Sequence, residues 1–417
     1  MHFSQNSRKF MNFFLNDVDN YLKKHNPKQQ RQQDIIIKKL YTDLYNSDTF
    51  IKLLMKQHRF KKQQKIIGKN IKVPSPALLT SNYVPVVIKR YIEGNSKAYM
   101  HYTCRMFNRS ISIYIVVFHR ITMGNMILYD KMVHQMLMWL RVAFLYSSQY
   151  CGKNLKIYLY CTPFKKQMPL ELMEVLGPEH CNSAVTTSCP LDGAIVVYRK
   201  EEWFKVFVHE SFHTLGLDFS TFSCRMLNAK LAKLFPIKSE MNAFEAYSEF
   251  WATIINCLFC AYNLLDDKLN DKDFLLYSDF CIQFERIFAL FQMVKILNFM
   301  GISYQHLFEK NEISDVARRY LYKENTNVFS YYIIKCILLY NYDAFLKWCE
   351  KNNINTLRFD RYDNNMNKFY SFIESHYNNP LFLADYRKMR TFYIKNKSNK
   401  QMASLFDTMR MTICELD

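Results

Sequence analysis

The sequence predicts an α+β fold in which a mixed β-sheet is followed by a largely helical half. This prediction rests on the spacing of apolar residues, which changes twice along the chain. It is helical over residues 10–44, strand-like with β-branched and aromatic runs over 84–198, and helical again after Gly216. The length of 417 residues with 49% hydrophobic residues is enough for a large core divided among two or three sub-domains.

Residues 1–72 are predicted to form a basic helical region. Apolar residues in 10–21 and 36–44 follow helical spacing, and a third helix is expected from about Asp48 into the lysines at 61–65. The region holds 16 Lys and Arg against 5 Asp and Glu, a net charge of +11 out of +19 for the chain. Such a charge can meet nucleic acid, an anionic membrane surface or an acidic partner, or it can be a solvated helical face.

Residues 73–216 are predicted to form the α+β sub-domain. A linker over 68–82, which contains two prolines, precedes it. The expected elements are strands at 84–91, 98–105, 111–119, 155–161 and 193–198, with a helix over 127–148. The segment 182–188 is expected to supply a sheet edge or a loop over that edge. The last strand leads directly into the helix that carries the main motif.

That helix contains His-Glu-x-x-His within the run VFVHESFHTLG, residues 206–216. At 3.6 residues per turn, His209 and His213 lie on one face about 6 Å apart, where both imidazoles can reach one metal ion. Glu210 lies beside them, placed to take a proton from a water at the metal. The opposite face is apolar, Glu201 and Glu202 are expected in the first turn, and Gly216 is expected to end the helix. The alternative is a buried helix whose histidines make ordinary hydrogen bonds.

A second stretch, AFEAYSEFW at residues 243–251, adds two carboxylates. Glu245, 32 residues beyond His213, is a suitable third ligand, since catalytic zinc commonly takes three protein ligands. Glu249 lies one turn further on and can accept the free N–H of a ligating His. The helix then continues almost without charge, and two inward carboxylates on it need a partner. The alternative partner is a Lys or Arg rather than a metal.

Together the two stretches resemble the gluzincin metallopeptidases, the thermolysin-like and lethal-factor-like group. The resemblance covers only Glu201 to Trp251. It implies a zinc-dependent metallopeptidase acting on a protein or peptide substrate, with a zincin-like upper sub-domain that ends in the HExxH helix. It also implies that His209, His213 and Glu245 are zinc ligands. By the same resemblance, Glu210 is the general base and Glu249 supports a ligand.

Two further resemblances are weaker in extent. The run His213–Gly216 is similar to the metzincins, but their third His would fall at Phe219, which cannot bind zinc. Asp218 is one place off that register and ranks below Glu245 as a ligand. The run 201–210 resembles uncharacterised HExxH proteins of large nucleocytoplasmic DNA viruses, which implies a viral protein located in the host cytoplasm or the virion.

The second half is predicted to be a helical sub-domain over 217–310, which holds the third ligand, and a helical C-terminal region over 311–417. Helices are expected at 273–299, 327–351, 364–376 and 400–416. Tyr331 belongs to an apolar stripe and is assigned to the core. Peptidases usually have a Tyr or His that stabilises the oxyanion, and Tyr304 and His306 are the candidates here. A structural role is the alternative for His306.

Cysteine usage and the N-terminus bear on the compartment. The 12 Cys show no repeating spacing, and Cys257-x-x-Cys260 has no second pair, so no structural zinc site is predicted there. Residues 1–20 lack the apolar core of a secretory signal. We therefore expect reduced thiols, with Cys151 only packing, in a cytoplasmic protein that is not secreted and has no transmembrane segment.

Three hypotheses remain open at the level of sequence. The first is an active zinc metallopeptidase. The second is a catalytically inactive zinc-binding protein with a structural or virion-associated role. The third is a basic helical protein that associates with nucleic acid and whose HExxH is accidental. An intact Glu210 favours the first over the second, because a purely structural site has no need of a general base.

Overall fold

A computed structural model defines residues 2–15, 27–172 and 174–417, with the backbone alone for 27–33. It shows an α+β fold with a six-stranded mixed sheet. The strands are β1 Lys61–Ile66, β2 Ala98–Met106, β3 Arg109–Val117, β4 Asn154–Thr162, β5 Ala184–Thr186 and β6 Asp192–Arg199. The longer helices are α1 Gln5–Leu15, α2 Pro27–Leu54, α3 Val86–Asn95, α4 Met123–Tyr146, α5 Trp203–Thr214, α6 Arg225–Leu234, α7 Ala243–Leu264, α8 Asp271–Phe299, α9 Glu312–Tyr320, α10 Lys335–Tyr340, α11 Tyr342–Asn352, α12 Asp363–His376 and α13 Pro380–Asn396.

The strand order across the sheet is β1-β2-β3-β4-β6-β5. The central strands β3, β4 and β6 are parallel, with Ile113 opposite Ile157 and Ile157 opposite Ile195. The outer strands are antiparallel to their neighbours, and β5 is a three-residue edge strand paired with β6. The sheet edge predicted within 182–188 is therefore confirmed as β5.

Helices cover one face of the sheet and a smaller layer covers the other. The main core joins the inward side chains of β2, β3, β4 and β6 to α2, α4, α5, α7 and α8. On the opposite face, α3 packs on a second cluster that includes Val116, Tyr160 and Tyr198. Because both faces are buried, the parallel strands are apolar on both sides, as expected for such strands.

The strand predicted at 84–91 is wrong, since residues 86–91 form the first part of α3. Ile88 and Ile92 are buried while Val86 and Val87 are exposed, a helical burial pattern. β-Branched residues favour strands only weakly, and burial of one helical face outweighs that preference. The strands predicted near β2, β3, β4 and β6 are confirmed.

The predicted third helix from Asp48 into Lys65 is also wrong. Helix α2 ends at Leu54, and the lysine-rich run Lys61–Ile66 is β1, an edge strand paired with β2. Its side chains are almost all exposed, so no alternation of apolar residues marks it in the sequence, and lysines are common on edge strands. Residues 1–72 therefore contribute both a strand to the sheet and, through α1 and α2, side chains to the main core.

Two of the predicted late helices differ from the structure. The helix expected over 327–351 is divided into a π-helical segment, Phe329–Ile334, followed by α10 and α11, which meet at Asn341. The helix expected over 400–416 is reduced to short turns that end at Phe406. Residues 407–414, which we call the strap, are not helical and run through the core, where Met409 and Ile413 are fully buried.

The strap is held by charged and polar side chains from several helices. Lys295 on α8 donates to the carbonyls of Leu405 and Thr408. The Tyr332 hydroxyl donates to the Met409 carbonyl at 2.7 Å, and Gln292 donates to the Arg410 carbonyl at 2.6 Å. The strap thereby satisfies its backbone hydrogen bonds without joining a helix or sheet.

The expectation of reduced thiols fails at one pair, because Cys151 and Cys189 form a disulfide. It joins the loop before β4 to the loop between β5 and β6, so Cys151 does more than pack. In the part of the chain that is described, no helix combines the length and apolar character needed to cross a bilayer.

Candidate metal centre

Helix α5 ends as the sequence predicts, at Gly216. This glycine has a φ of +62°, and its N–H donates to the His213 carbonyl at 3.1 Å. The Leu217 N–H donates to the Phe212 carbonyl at 2.9 Å, which completes a Schellman motif. A Cβ on residue 216 would lie 2.9 Å from Cys151 Sγ, which the disulfide with Cys189 holds in place, so space as well as conformation favours glycine here.

The start of α5 differs from the prediction, since Glu201 and Glu202 are not in its first turn. Glu202 precedes the helix with a φ of 59°, and the helix begins at Trp203. Its buried carboxylate pairs with Lys166 and accepts from the N–H groups of Met411 at 2.8 Å and Thr412 at 2.5 Å. Glu202 therefore fixes the strap beside α5.

The apolar face of α5 is buried as expected. Phe204, Val208, Phe212 and Leu215 are all at most 5% exposed. A hydrogen bond fixes the rotation of the helix about its axis, because Trp139 of α4 donates to the Ser211 hydroxyl at 2.6 Å. The histidine face is thereby turned toward α7, against which α5 packs.

The structure brings His209, His213 and Glu245 together. His209 Nε2 lies 3.0 Å from Glu245 Oε2 and 3.0 Å from His213 Nε2, and His213 Nε2 lies 3.4 Å from Glu245 Oε2. Zinc holds N and O ligands at about 2.0–2.2 Å, which for a tetrahedron separates them by about 3.3 Å. The three atoms therefore fit the ligands of one zinc ion.

The charges around these atoms also favour a cation. Four carboxylates, those of Glu210, Asp218, Glu245 and Glu249, act on the two histidines. Burial disfavours a charged His209, but Glu245 and Glu249 outweigh it and raise the pKa of His209 to about 9. Burial opposes ionisation of Glu245 as well, yet the histidines lower its pKa to about 2. The cluster thus binds positive charge strongly, and a divalent ion would supply it.

Each histidine has a carboxylate at its other ring nitrogen. Glu249 Oε1 lies 3.0 Å from His209 Nδ1, which is the role predicted for it. Its second oxygen pairs with Lys205, buried one turn before His209. The Asp218 carboxylate contacts His213 Nδ1, which is the position of a residue that orients the candidate ligand His213 rather than that of a ligand. The comparison with the metzincin spacing did not predict this contact of Asp218 with His213. The one feature of the sequence that could have indicated it is that Asp218 follows closely after Gly216, the glycine that ends the helix.

The loop that carries Asp218 is itself held in place. Arg361 donates to the Asp218 carbonyl at 2.9 Å and to the Gly216 carbonyl at 2.6 Å. The Ser220 hydroxyl donates to Asp218 Oδ1 at 2.9 Å. Sequence reasoning missed Arg361, because it lies 148 residues beyond His213 and no local pattern connects them.

Glu210 and His209 border a small cavity. Its volume is about 40 Å³, enough for one or a few waters. Burial raises the pKa of the Glu210 carboxyl, which favours its taking up a proton. The walls come from α5, α7, the loop after β4, the start of β5 with the segment before it, the π-helical segment and the strap, and they include Lys166, Asn182, Ala184, Tyr331 and Met411.

Tyr331 belongs to the buried core, as its apolar stripe predicts. It also lines the cavity, with its ring 6.0 Å from that of His209, and the sequence did not predict this second position. Its hydroxyl is within hydrogen-bonding reach of Asn327, whose amide donates to Glu245 Oε1 at 3.3 Å. The π-helical turn shifts Tyr331 out of the α-helical register. No pattern in the sequence predicts this turn, and π-helical turns are frequent at functional sites.

Tyr304 and His306, the predicted oxyanion donors, do not line this cavity. Tyr304 is fully buried, and its hydroxyl donates to the Tyr377 carbonyl at 2.8 Å. His306 accepts from the Ser303 N–H at 3.2 Å through Nδ1. Both side chains therefore serve the packing of the C-terminal helices, which corrects their assignment.

Comparisons of the chain with models of known protein families, with curated proteins and with solved structures found no match. The geometry of the site is thus the basis for any assignment of function.

Proposed function

We propose that this chain is a zinc-dependent metallopeptidase that hydrolyses peptide bonds with Glu210 as general base. The convergence of His209, His213 and Glu245 on one point, with Glu210 beside it in a water-sized cavity, carries the proposal. An accidental HExxH would not require a third ligand from another helix, nor a carboxylate behind each histidine.

The proposed division of roles follows from the contacts. His209, His213 and Glu245 would hold zinc, while Glu249 and Asp218 fix the orientation of the two imidazoles. Zinc in such a site lowers the pKa of a water to about 7 and polarises a carbonyl oxygen. Glu210 would take the proton of that water and pass it to the leaving amine.

Two features would serve the substrate. Tyr331, rather than Tyr304 or His306, is placed to donate to the oxyanion that forms at the attacked carbonyl. The edge strand β5 contacts α5, where an extended peptide could add as a further strand. This order of sheet, edge strand and HExxH helix supports a zincin-like sub-domain ending at Gly216.

The test is digestion of a peptide library by wild type and Glu210→Gln, read by mass spectrometry. Gln keeps the size of the side chain but removes the base, so we expect zinc to be retained and cleavage to fall by on the order of 10²–10⁴-fold. Glu240→Gln, the same change at an exposed position, is the matched control and should cleave like wild type. Equal cleavage by wild type and Glu210→Gln would exclude Glu210 as the base.

A second candidate is a zinc-binding protein without turnover, and the small cavity favours it. At about 40 Å³ the cavity has room for water but not for a peptide side chain. A wild type that contains one zinc at the histidines and cleaves no peptide in the library would support this candidate and overturn the first.

A further inference from the structure

A second group of metal-binding side chains lies on the same helix as Glu245 and Glu249. Cys257 is eight residues beyond Glu249 on α7, two turns or about 12 Å along the helix. Ligand atoms of Cys257, Glu285 and Cys414 all lie within 4.8 Å of one another, and all three residues are buried. Each comes from a different element: α7, α8 and the strap.

A fourth donor is present in the same place. Cys281 lies one turn before Glu285 on α8, and the Cys414 thiol is within hydrogen-bonding reach of the thiols of both Cys257 and Cys281. The prediction from sequence was that Cys257-x-x-Cys260 lacks a second pair of cysteines. The fold supplies one from residues 24 and 157 positions beyond Cys257, which explains why no spacing pattern shows it.

Only one of the two oxygens of the Glu285 carboxylate accepts hydrogen bonds from the residues that the structure describes. Its Oε1 accepts from the Ile413 and Cys414 N–H groups at 2.9 Å each and also contacts the Thr412 hydroxyl. Its Oε2 is buried and has no hydrogen-bond partner among the described residues. A buried carboxylate oxygen without a partner is costly, and a cation at the thiols would satisfy it.

The charge of the surroundings is compatible with such an ion. Two or three thiolates and one carboxylate need compensation when they are buried. The ammonium group of Lys335, itself buried, acts on both Glu285 and Cys257 and offsets part of this charge. A divalent ion would offset the remainder, and thiolate-rich sites select zinc over magnesium or calcium.

From this geometry we infer a second, structural zinc site formed by Cys257, Cys414 and Glu285, with Cys281 as the fourth ligand. It is separate from the proposed catalytic centre and does not depend on it. Because Cys414 belongs to the strap, this site would fasten the strap to α7 and α8. The strap would then be locked in the position where Met411 lines the cavity and donates to Glu202.

The experiment uses the full chain with His209→Ala and His213→Ala, purified without chelators and loaded with zinc. We expect one zinc per chain, with sulfur scatterers at about 2.3 Å in X-ray absorption. Adding Cys257→Ser and Cys414→Ser should remove that zinc. Cys349→Ser in the same background is the matched control, because Cys349 is equally buried but outside the group, and it should keep the metal.

Two results would overturn the inference. One is a folded histidine variant with no zinc–sulfur scattering. The other is a peptide map of the non-reduced protein that finds a disulfide between two of Cys257, Cys281 and Cys414, in addition to Cys151–Cys189. If the double serine variant does not fold, cobalt loading of the histidine variant decides the question through thiolate-to-metal charge-transfer absorption. A wild type with sulfur-bound zinc alone would support this site and contradict the catalytic one.

Discussion

At the scale of single residues, Lys205 changes what is expected of Glu249. The lysine is buried, and the Glu249 carboxylate is its ion-pair partner as well as the partner of His209. Considered from the sequence, Glu249 is a support for a ligand, and its loss predicts a 10–100-fold effect on metal affinity or activity. The structure adds a second cost, because removing Glu249 leaves an unpaired buried ammonium group.

We therefore predict that Glu249→Ala lowers the free energy of unfolding by about 3–5 kcal/mol. The double variant Lys205→Met/Glu249→Gln removes both charges and keeps an acceptor near His209, so it should lose clearly less. Urea unfolding of the zinc-free proteins measures this difference without a contribution from metal affinity. Equal losses in the single and double variants would show that the ion pair contributes nothing.

Whether a residue of the candidate metal centre could be predicted from the sequence depends on how far away in the chain its contact partners lie. His209, Glu210 and His213 could be found from spacing on one helix, and Glu245 and Glu249 from the same reasoning on a second. Lys205 and Asp218 lie close to this motif, but only the fold shows which groups they contact. Arg361, Asn327 and Cys414 reach their sites from distant segments, and no local pattern predicts such contacts.

At the scale of elements, the π-helical segment Phe329–Ile334 determines which tyrosine faces the cavity. Tyr331 points to His209, while the next residue, Tyr332, donates to the strap at Met409. A regular α-helix was expected here from apolar spacing alone. Spacing indicates that a stretch is helical and buried, but it does not reveal a turn with one extra residue.

Tyr331→Phe should lower peptide turnover by on the order of 10²–10³-fold, because it removes one donor to the oxyanion. Zinc content should stay at the wild-type level, since Tyr331 is not a ligand. Tyr332→Phe is the matched control: it removes a hydroxyl one residue away and should affect stability more than turnover. Unchanged kcat in Tyr331→Phe would assign its hydroxyl to packing with Asn327.

The same limit applies to strands and the strap. Strands β3, β4 and β6 were predictable because their side chains are apolar on both faces. Strand β1 was not, because an exposed edge strand of lysines and glutamines has no apolar pattern. The sequence predicts a helix over 400–416, yet the strap is not helical, and its backbone carbonyls accept from Lys295, Gln292 and Tyr332, all distant in sequence.

At the scale of the whole molecule, the buried Lys295 links global stability to pH. Burial lowers the pKa of Lys295 to about 7, against about 10.4 in the unfolded chain. Between these pH values the unfolded state binds more protons, so stability rises with pH by up to about 1.4 kcal/mol per unit. The penalty for burying the charge is complete below about pH 7 and absent above about pH 10.5.

Urea unfolding of wild type and Lys295→Met at about pH 7, 8 and 9 tests this linkage. The methionine variant loses two hydrogen bonds at every pH, so its curve is offset by a constant amount. The wild type should gain stability relative to the variant as pH rises. A difference that is independent of pH would mean that Lys295 stays charged in the folded protein.

The basic region, residues 1–72, is part of the main fold rather than a separate unit. Residues 1–72, predicted as a basic helical region, supply β1 to the sheet and α2 to the main core. Lys61 and Lys62 on β1 remain exposed, so an acidic partner or nucleic acid at this surface stays a prediction. Any such binding to nucleic acid should weaken steeply with salt.

The position of the strap has a consequence for how the protein is made. Met411 lies about 200 residues after His209 in the chain, yet it forms part of the wall beside that histidine, and its backbone N–H donates to Glu202. At about 5–20 residues per second, a ribosome releases the strap roughly 10–40 s after the HExxH helix. Throughout that interval the nascent chain already contains His209, Glu210 and His213, but it lacks the strap that forms one wall of the cavity. The wall beside His209 can therefore be completed only after about 200 further residues have been synthesised, so the HExxH helix exists for that time without it.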